Sequence, residues 1–140
     1  MRRPVVAIFN SNDDIVEMLR FALEQAGLIV VSGHVDAIRR GQQRLPDFVE
    51  EHNPSVILYD VVPPYDRSWR FLEHLRDTPS LRGRRFVITS TNPQRVREVA
   101  GEEHVLEIVG KPHDLEAIVT TVESATRGQD TRLPPGATQV

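Results

Sequence analysis

The chain alternates between short apolar runs and longer segments in which apolar residues recur every three or four positions. The apolar runs are rich in β-branched residues and are continuous, which is typical of strands covered by helices on both faces. They are VVAIF (5–9), LIVV (28–31), SVILY (55–59), RFVIT (85–89) and VLEIV (105–109). This pattern predicts a five-stranded parallel sheet with helical crossovers.

The segments between the runs carry helix signals. Residues 14–26 place their apolar side chains on one stripe, and residues 69–76 and 93–100 predict two further helices. Asn92 precedes the second of these as a cap, and Asp114 is the expected cap of the last helix. Strand and helix alternate five times, which predicts a doubly wound, flavodoxin-like α/β fold with five helices.

Two stretches depart from this regular pattern. The second crossover, residues 36–53, contains Gly41 and Pro46, and proline inside a helix removes a hydrogen bond, so we expect a broken or two-part helix. From residue 128 onward the chain is polar and rich in proline and glycine. We therefore expect one folded domain over residues 1–127 and a flexible tail over residues 128–140.

Composition excludes several classes of function. The chain has no cysteine, which excludes disulfides, thiolate zinc sites and cysteine nucleophiles. Its net charge of −3 with both signs interspersed argues against the basic surface that nucleic-acid binding requires. No apolar run approaches the roughly 20 residues that cross a bilayer. We expect a soluble, cytoplasmic protein with no membrane contact and no direct nucleic-acid contact.

Polar residues stand at the carboxyl ends of the predicted strands, where ligands collect in doubly wound sheets. They are Asn10 and Ser11 after the first strand, Asp60 after the third, Thr89 after the fourth and Lys111 after the fifth. The predicted site thus combines a carboxylate, a hydroxyl and an ammonium with two neutral polar groups.

Motifs at three of these strand ends match one known family in order and position. VILYD ends at Asp60 with Pro64 four residues later, FVITST contains Thr89, and Lys111 precedes Pro112 in IVGKPHDL. Over residues 4–126 the sequence therefore resembles the response-regulator receiver family. The resemblance implies that Asp60 accepts a phosphoryl group, that Thr89 binds the phosphoryl oxygens, and that the Lys111–Pro112 bond is cis.

The chemistry of these residue types agrees with the implied roles. A carboxylate that attacks a phosphoryl group needs its charge offset, and the Lys111 ammonium supplies that offset. The Thr89 hydroxyl donates to a phosphoryl oxygen, and a shift of Thr89 on phosphorylation would move the loop after it.

The resemblance also implies a Mg²⁺ site, where the sequence departs from the family pattern. The implied ligands are an acidic pair after the first strand, the carboxylate of Asp60 and the backbone carbonyl of Val62. Asn10 and Ser11 occupy the positions of the acidic pair, and they act either as weak ligands or as loop caps. Because Mg²⁺ releases water reluctantly, we predict a weak or lost site.

Asp13 and Asp14 offer an alternative source of carboxylates. They would reach the site only if the preceding loop were two to three residues shorter than aligned. The interpretation we favour places both in the first helical turn, where the helix dipole stabilises negative charge.

These observations predict a single-domain receiver in a phosphorelay, a signalling protein rather than an enzyme. Asp60 would take the phosphoryl group from a histidine kinase or phosphotransfer protein, and a downstream protein partner would respond. The alternative is a pseudo-receiver that binds proteins without phosphorylation. A flavodoxin-like enzyme or nucleotide binder is disfavoured because the NSNDD loop lacks glycines.

The resemblance further implies an output face formed by the fourth helix, fifth strand and fifth helix of the family. Charges of both signs meet there at Arg95, Arg97, Glu98, Glu102 and Glu103. This composition predicts a polar homodimer or a charged partner. The alternative is a helix that is merely solvated.

Overall fold

The computed structural model describes residues 3–101, 105–107 and 112–127, which form five strands and six helices. The strands are β1 Val5–Phe9, β2 Ile29–Gly33, β3 Val56–Asp60, β4 Arg85–Ser90 and β5 Val105–Glu107. The helices are α1 Asp13–Gln25, α2 Val35–Arg39, α3 Leu45–His52, α4 Tyr65–Arg76, α5 Pro93–Ala100 and α6 Pro112–Thr126.

The strands form a parallel sheet in the order β2-β1-β3-β4-β5. Four strands of five or six residues make up most of it, and the three-residue β5 pairs with β4 at one edge. In β1, which lies between β2 and β3, Val6 pairs with Val30 on one side and with Val56 on the other. The predicted doubly wound α/β architecture is confirmed.

The predicted count of five helices is wrong, because the second crossover forms two helices within the described residues. Gly41, which lies between α2 and α3, has a φ of +76°, a backbone conformation that interrupts a right-handed helix. Pro46 lies in the first turn of α3, where a missing N–H is tolerated. The prediction of a two-part helix in this crossover is confirmed.

Helix ends differ from the predictions by a few residues. Helix α1 begins at Asp13, and Asn12 caps it by accepting hydrogen bonds from the N–H groups of Asp14 and Ile15 at 3.0 and 3.1 Å. Helix α6 begins at Pro112, so the prediction of Asp114 as its cap is wrong, and Asp114 lies in the first turn. The predicted tail, residues 128–140, lies outside the described residues.

The two faces of the sheet are covered by different helices. Helices α1 and α6 pack on one face over residues such as Ile8 and Leu58, while α2 to α5 pack on the other over Phe9 and Tyr59. This double coverage accounts for the continuously apolar strands. No helix in the described parts of the chain is both long and apolar enough to span a membrane.

Gly33, at the end of β2, leaves room for an aromatic ring of the core. A Cβ atom at this position would lie 2.5 Å from Cε1 of Phe9, whose ring already packs edge-on against Phe48 at 4.9 Å between centroids. We expect Gly33→Ala to reduce the free energy of unfolding by about 1–3 kcal/mol in a urea titration, because the packed ring must move. The loss should shrink in a Phe9→Leu background, and an equal loss in both backgrounds would show that the Phe9 ring is not its cause.

Candidate functional site

The carboxyl ends of β3 and β4 bring Asp60 and Thr89 side by side. These two residues are partners in the parallel register of the strands. The backbone N–H of Val61 donates to the Thr89 carbonyl at 2.9 Å, which continues the pairing one residue beyond β3. The two side chains therefore leave the sheet at the same edge and at the same height.

Strand alternation decides on which face this pair lies. Ile8, Leu58 and Val87 belong to the core between the sheet and the helices α1 and α6. Asp60 and Thr89 each stand two residues after a member of that set, so their side chains point to the same face. Asn10 stands two residues after Ile8 and is 5% exposed. We call the space bounded by Asn10, Asp60 and Thr89 the cleft.

Asp60 and Thr89 are joined by a short hydrogen bond inside the cleft. The Thr89 hydroxyl donates to Oδ1 of Asp60 at 2.7 Å, and Thr89 and Asp60 are 1% and 6% exposed respectively. Burial raises the pKa of Asp60 from 3.8 to about 7, and the hydrogen bond from Thr89 opposes part of that rise. The carboxyl group thus exchanges its proton near neutral pH.

Asn10 and Ser11 shape the loop on the other side of the cleft. Oδ1 of Asn10 accepts a hydrogen bond from the N–H of Asn12 at 2.9 Å, so the side chain closes a short turn before α1. The Oγ atom of Ser11 is buried and has no hydrogen-bond partner among the described residues. Asn10 therefore acts as a loop cap, one of the two roles expected from the sequence.

The loop between β3 and α4 is tied to the helix that follows it. The Ser68 hydroxyl, on α4, donates to the backbone carbonyl of Val62 at 2.5 Å. Ser68 is only 4% exposed. Sequence reasoning did not single out Ser68, and the only signal was a small polar residue beside Trp69 in an amphipathic helix. The peptide bond between Pro63 and Pro64 in this loop is cis.

A surface groove of about 340 Å³ separates the loops that follow Asp60 and Thr89. Its apolar wall includes Pro64, Tyr65 and the half-exposed Val99. Its charged rim includes Arg95 and Glu98, which form an ion pair at 3.3 Å. The groove borders both loops that leave the cleft.

Solved structures similar to this chain include a sensor protein and several response regulators. A sensor protein from Polaromonas sp. JS666 has a TM-score of 0.68 at 20% identity, covering 91% of this chain and 98% of that chain. An orphan response regulator of H. pylori has a TM-score of 0.63 at 14% identity, covering 90% and 100%. The chemotaxis protein CheY4 of Vibrio cholerae has a TM-score of 0.62 at 18% identity, covering 86% and 99%. No protein-family model and no curated protein matches the sequence.

The chain has the receiver fold of response regulators. In this fold Thr89 is hydrogen-bonded to Asp60 at one edge of the sheet, and the buried Asn10 directly follows the neighbouring strand β1. Lys111, predicted to complete the site, lies outside the described residues, as does the predicted cis bond from Lys111 to Pro112. The roles of these residues in phosphoryl chemistry stay predictions.

The residues of this receiver fold do not suit Mg²⁺ well. Asp60 is the one carboxylate in the cleft among the described residues, and those residues contain no cluster of three metal-binding side chains. Asp13 and Asp14 are exposed in the first turn of α1, as the favoured interpretation predicted. Asn10 supplies a neutral amide, and the Val62 carbonyl already accepts the Ser68 hydroxyl. Because Mg²⁺ requires near-ideal octahedral oxygen ligands and loses water reluctantly, this donor set offers little attraction.

Proposed function

We propose that residues 1–127 form a receiver in a cytoplasmic two-component phosphorelay. Asp60 would accept a phosphoryl group from a histidine kinase or phosphotransfer protein, and a downstream protein would respond to the change. The 2.7 Å hydrogen bond from Thr89 to Asp60 carries this proposal. It places a hydroxyl donor, which could bind a phosphoryl oxygen, beside the carboxylate that would act as nucleophile.

The proposed transfer uses these two side chains in sequence. An ionised Asp60 oxygen attacks the phosphorus atom, a new O–P bond forms, and the P–N bond to the donor histidine breaks as the imidazole gains a proton. The Thr89 hydroxyl then exchanges its Asp60 acceptor for a phosphoryl oxygen. The loop that follows Thr89 borders the surface groove, so this exchange would alter the groove that a partner contacts.

Labelling with a small phosphoryl donor tests the proposal. We expect acetyl phosphate or phosphoramidate to add one phosphoryl group to the wild-type protein by intact-mass spectrometry, and to add none to Asp60→Asn. Labelling should rise as the pH passes about 7, because burial raises the pKa of Asp60 to about 7 and only the ionised carboxylate is nucleophilic.

The same labelling experiment is carried out on Thr89→Val and on a matched control, Thr121→Val. Thr89→Val should slow labelling by about tenfold or more, because it removes the hydroxyl donor at the phosphoryl position. Thr121, on α6, donates its hydroxyl to the Ala117 carbonyl away from the cleft, so its valine variant should label as the wild type does. Equal labelling of wild type and Asp60→Asn would reject Asp60 as the acceptor.

A second candidate function is a protein-binding module that works without phosphorylation. The neutral Asn10 and the raised pKa of Asp60 favour it, because both weaken the charged site that phosphoryl transfer uses. The surface groove and the Arg95–Glu98 pair would then contact a protein partner or a second copy of the chain. A protein that never labels but keeps its partner binding in Asp60→Asn would establish this second function.

A further inference from the structure

The carbonyl of Val62 is already bound by a buried hydroxyl. Ser68 donates to it at 2.5 Å and is 4% exposed, so the hydroxyl has little access to water. The resemblance to receivers assigns this same carbonyl to a divalent cation. A hydroxyl from the following helix therefore contacts the oxygen that a cation would otherwise hold.

Two of the three remaining ligand positions are also satisfied by protein groups. Oδ1 of Asn10 accepts the N–H of Asn12, and Oδ1 of Asp60 accepts the Thr89 hydroxyl. Ser11 adds a hydroxyl with no charge. A cation entering here would have to displace hydrogen bonds and dehydrate while facing one carboxylate of the described residues.

The loop between β3 and α4 is held at both of its first residues without a metal. The N–H of Val61 donates to the Thr89 carbonyl at 2.9 Å, and the carbonyl of Val62 accepts from Ser68. Each bond ties the loop to a different neighbour, β4 in the first case and α4 in the second. These two contacts fix the path of the chain as it leaves Asp60.

We propose that Ser68 is a positioning residue that holds the β3–α4 loop through the Val62 carbonyl in place of a divalent cation, and that the cleft takes up no Mg²⁺. This inference deepens the proposed function and rests on it only in assuming that the cleft around Asp60 is the functional site. It implies that any phosphoryl transfer to Asp60 proceeds equally well in Mg²⁺ and in a chelator.

The test compares the wild-type protein with Ser68→Ala and with the control Thr78→Val. Thr78 donates its hydroxyl to the Leu75 carbonyl at 2.7 Å near the end of α4, so its variant deletes the same kind of bond outside the cleft. Each protein is titrated with Mg²⁺ to roughly 10 mM, because a site with few carboxylates would bind the ion weakly. The readouts are the melting temperature, Trp69 fluorescence and the ¹³C′ chemical shift of Val62.

We expect Mg²⁺ to leave all three readouts of the wild-type protein unchanged. Ser68→Ala should lower the melting temperature by about 4 °C and move the Val62 ¹³C′ resonance, because the carbonyl loses its donor. Thr78→Val should lower the melting temperature without moving that resonance. A Val62 resonance unaffected by Ser68→Ala would overturn the positioning role.

If Mg²⁺ raised the melting temperature of the wild-type protein or moved its Val62 ¹³C′ resonance, the cleft would bind the ion and this part of the proposal would be wrong. These outcomes are independent of phosphorylation. If the protein fails to label with acetyl phosphate yet shows no Mg²⁺ response, the proposed function fails and the inference stands. If labelling requires Mg²⁺, the inference fails and the proposed function stands.

Discussion

Replacing Asp60 with asparagine should raise the free energy of unfolding at pH 8 by roughly 2–4 kcal/mol. Asp60 is 6% exposed, and burial raises its pKa from 3.8 to about 7. An ionised carboxylate in this environment is therefore a cost to the folded state. Asparagine has nearly the same shape, remains neutral and can keep a hydrogen bond with the Thr89 hydroxyl.

The stability gained by Asp60→Asn should depend on pH, because the carboxyl group of Asp60 ionises at different pH values in the folded and unfolded states. Below about pH 4 the carboxyl group is protonated in both states and adds nothing to the pH dependence. Between about pH 4 and pH 7 the unfolded chain ionises while the folded protein retains the proton, so stability falls as the pH rises. The advantage of Asp60→Asn should therefore be absent near pH 4 and reach its full size above pH 7.

Urea titrations at several pH values would measure this difference between variant and wild type. Asp77→Asn is a suitable control, because Asp77 is an exposed residue at the end of α4 and its change should stay within about 0.5 kcal/mol. If Asp60→Asn were no more stable than the wild type at pH 8, Asp60 would not be the buried, costly carboxyl that the structure indicates.

The strands were predictable because the sheet is covered on both faces. A continuous apolar run that is too short for a helix is typical of a buried strand, and β1 matches its run, residues 5–9. The end of β2 was not predictable, since Ser32 and Gly33 pair with Ile8 and Phe9 of β1 rather than following any local preference. Strand pairing in the folded protein extended β2 beyond its apolar residues.

The meeting of Asp60 and Thr89 could be expected, because neighbouring parallel strands end at the same edge of a sheet. The strands β3 and β4 are adjacent and pair Asp60 with Thr89, which brings the two side chains within hydrogen-bond distance. The bond from Ser68 to Val62 could not be expected in this way. It depends on the path of the loop between β3 and α4, which no local pattern in the sequence predicts.

The helical pattern was less informative where polar residues form the first turn of a helix. Helix α4 begins at Tyr65, four residues before the predicted start at Trp69, because the residues after Tyr65 in its first turn are polar and show no apolar spacing. This early start brings Ser68 into the helix, where its hydroxyl can reach back to Val62. The error in the helix boundary and the missed positioning residue thus have one cause.

Adding two carboxylates to the cleft should create a Mg²⁺ site where we propose that the wild-type protein has none. In the double variant Asn10→Asp with Ser11→Asp, the new carboxylates would stand beside Asp60. Aspartate at position 10 still has an oxygen that can accept the Asn12 N–H, so the loop before α1 should keep its turn. Oxygen ligands of high charge density are the ones that Mg²⁺ prefers.

Without metal, the double variant should lose about 1–3 kcal/mol of stability at pH 8, because like charges repel across a cleft that water barely enters. Mg²⁺ binds only the folded protein, so it should restore stability as its concentration rises, by about 2.7 kcal/mol at a hundredfold excess over the dissociation constant. Thermal melts with and without Mg²⁺ would measure both effects.

Asn12→Asp is the matched control for the added charge, since Asn12 is exposed in the same loop and its side-chain oxygen caps α1. A carboxylate there keeps the cap, suits the helix dipole and lies outside the cleft, so Mg²⁺ should not change the stability of this control. If the double variant responds to Mg²⁺ no more than Asn12→Asp does, the neutral residues at positions 10 and 11 are not what excludes the ion. The engaged Val62 carbonyl would then be the stronger barrier, and adding Ser68→Ala to the double variant should release it.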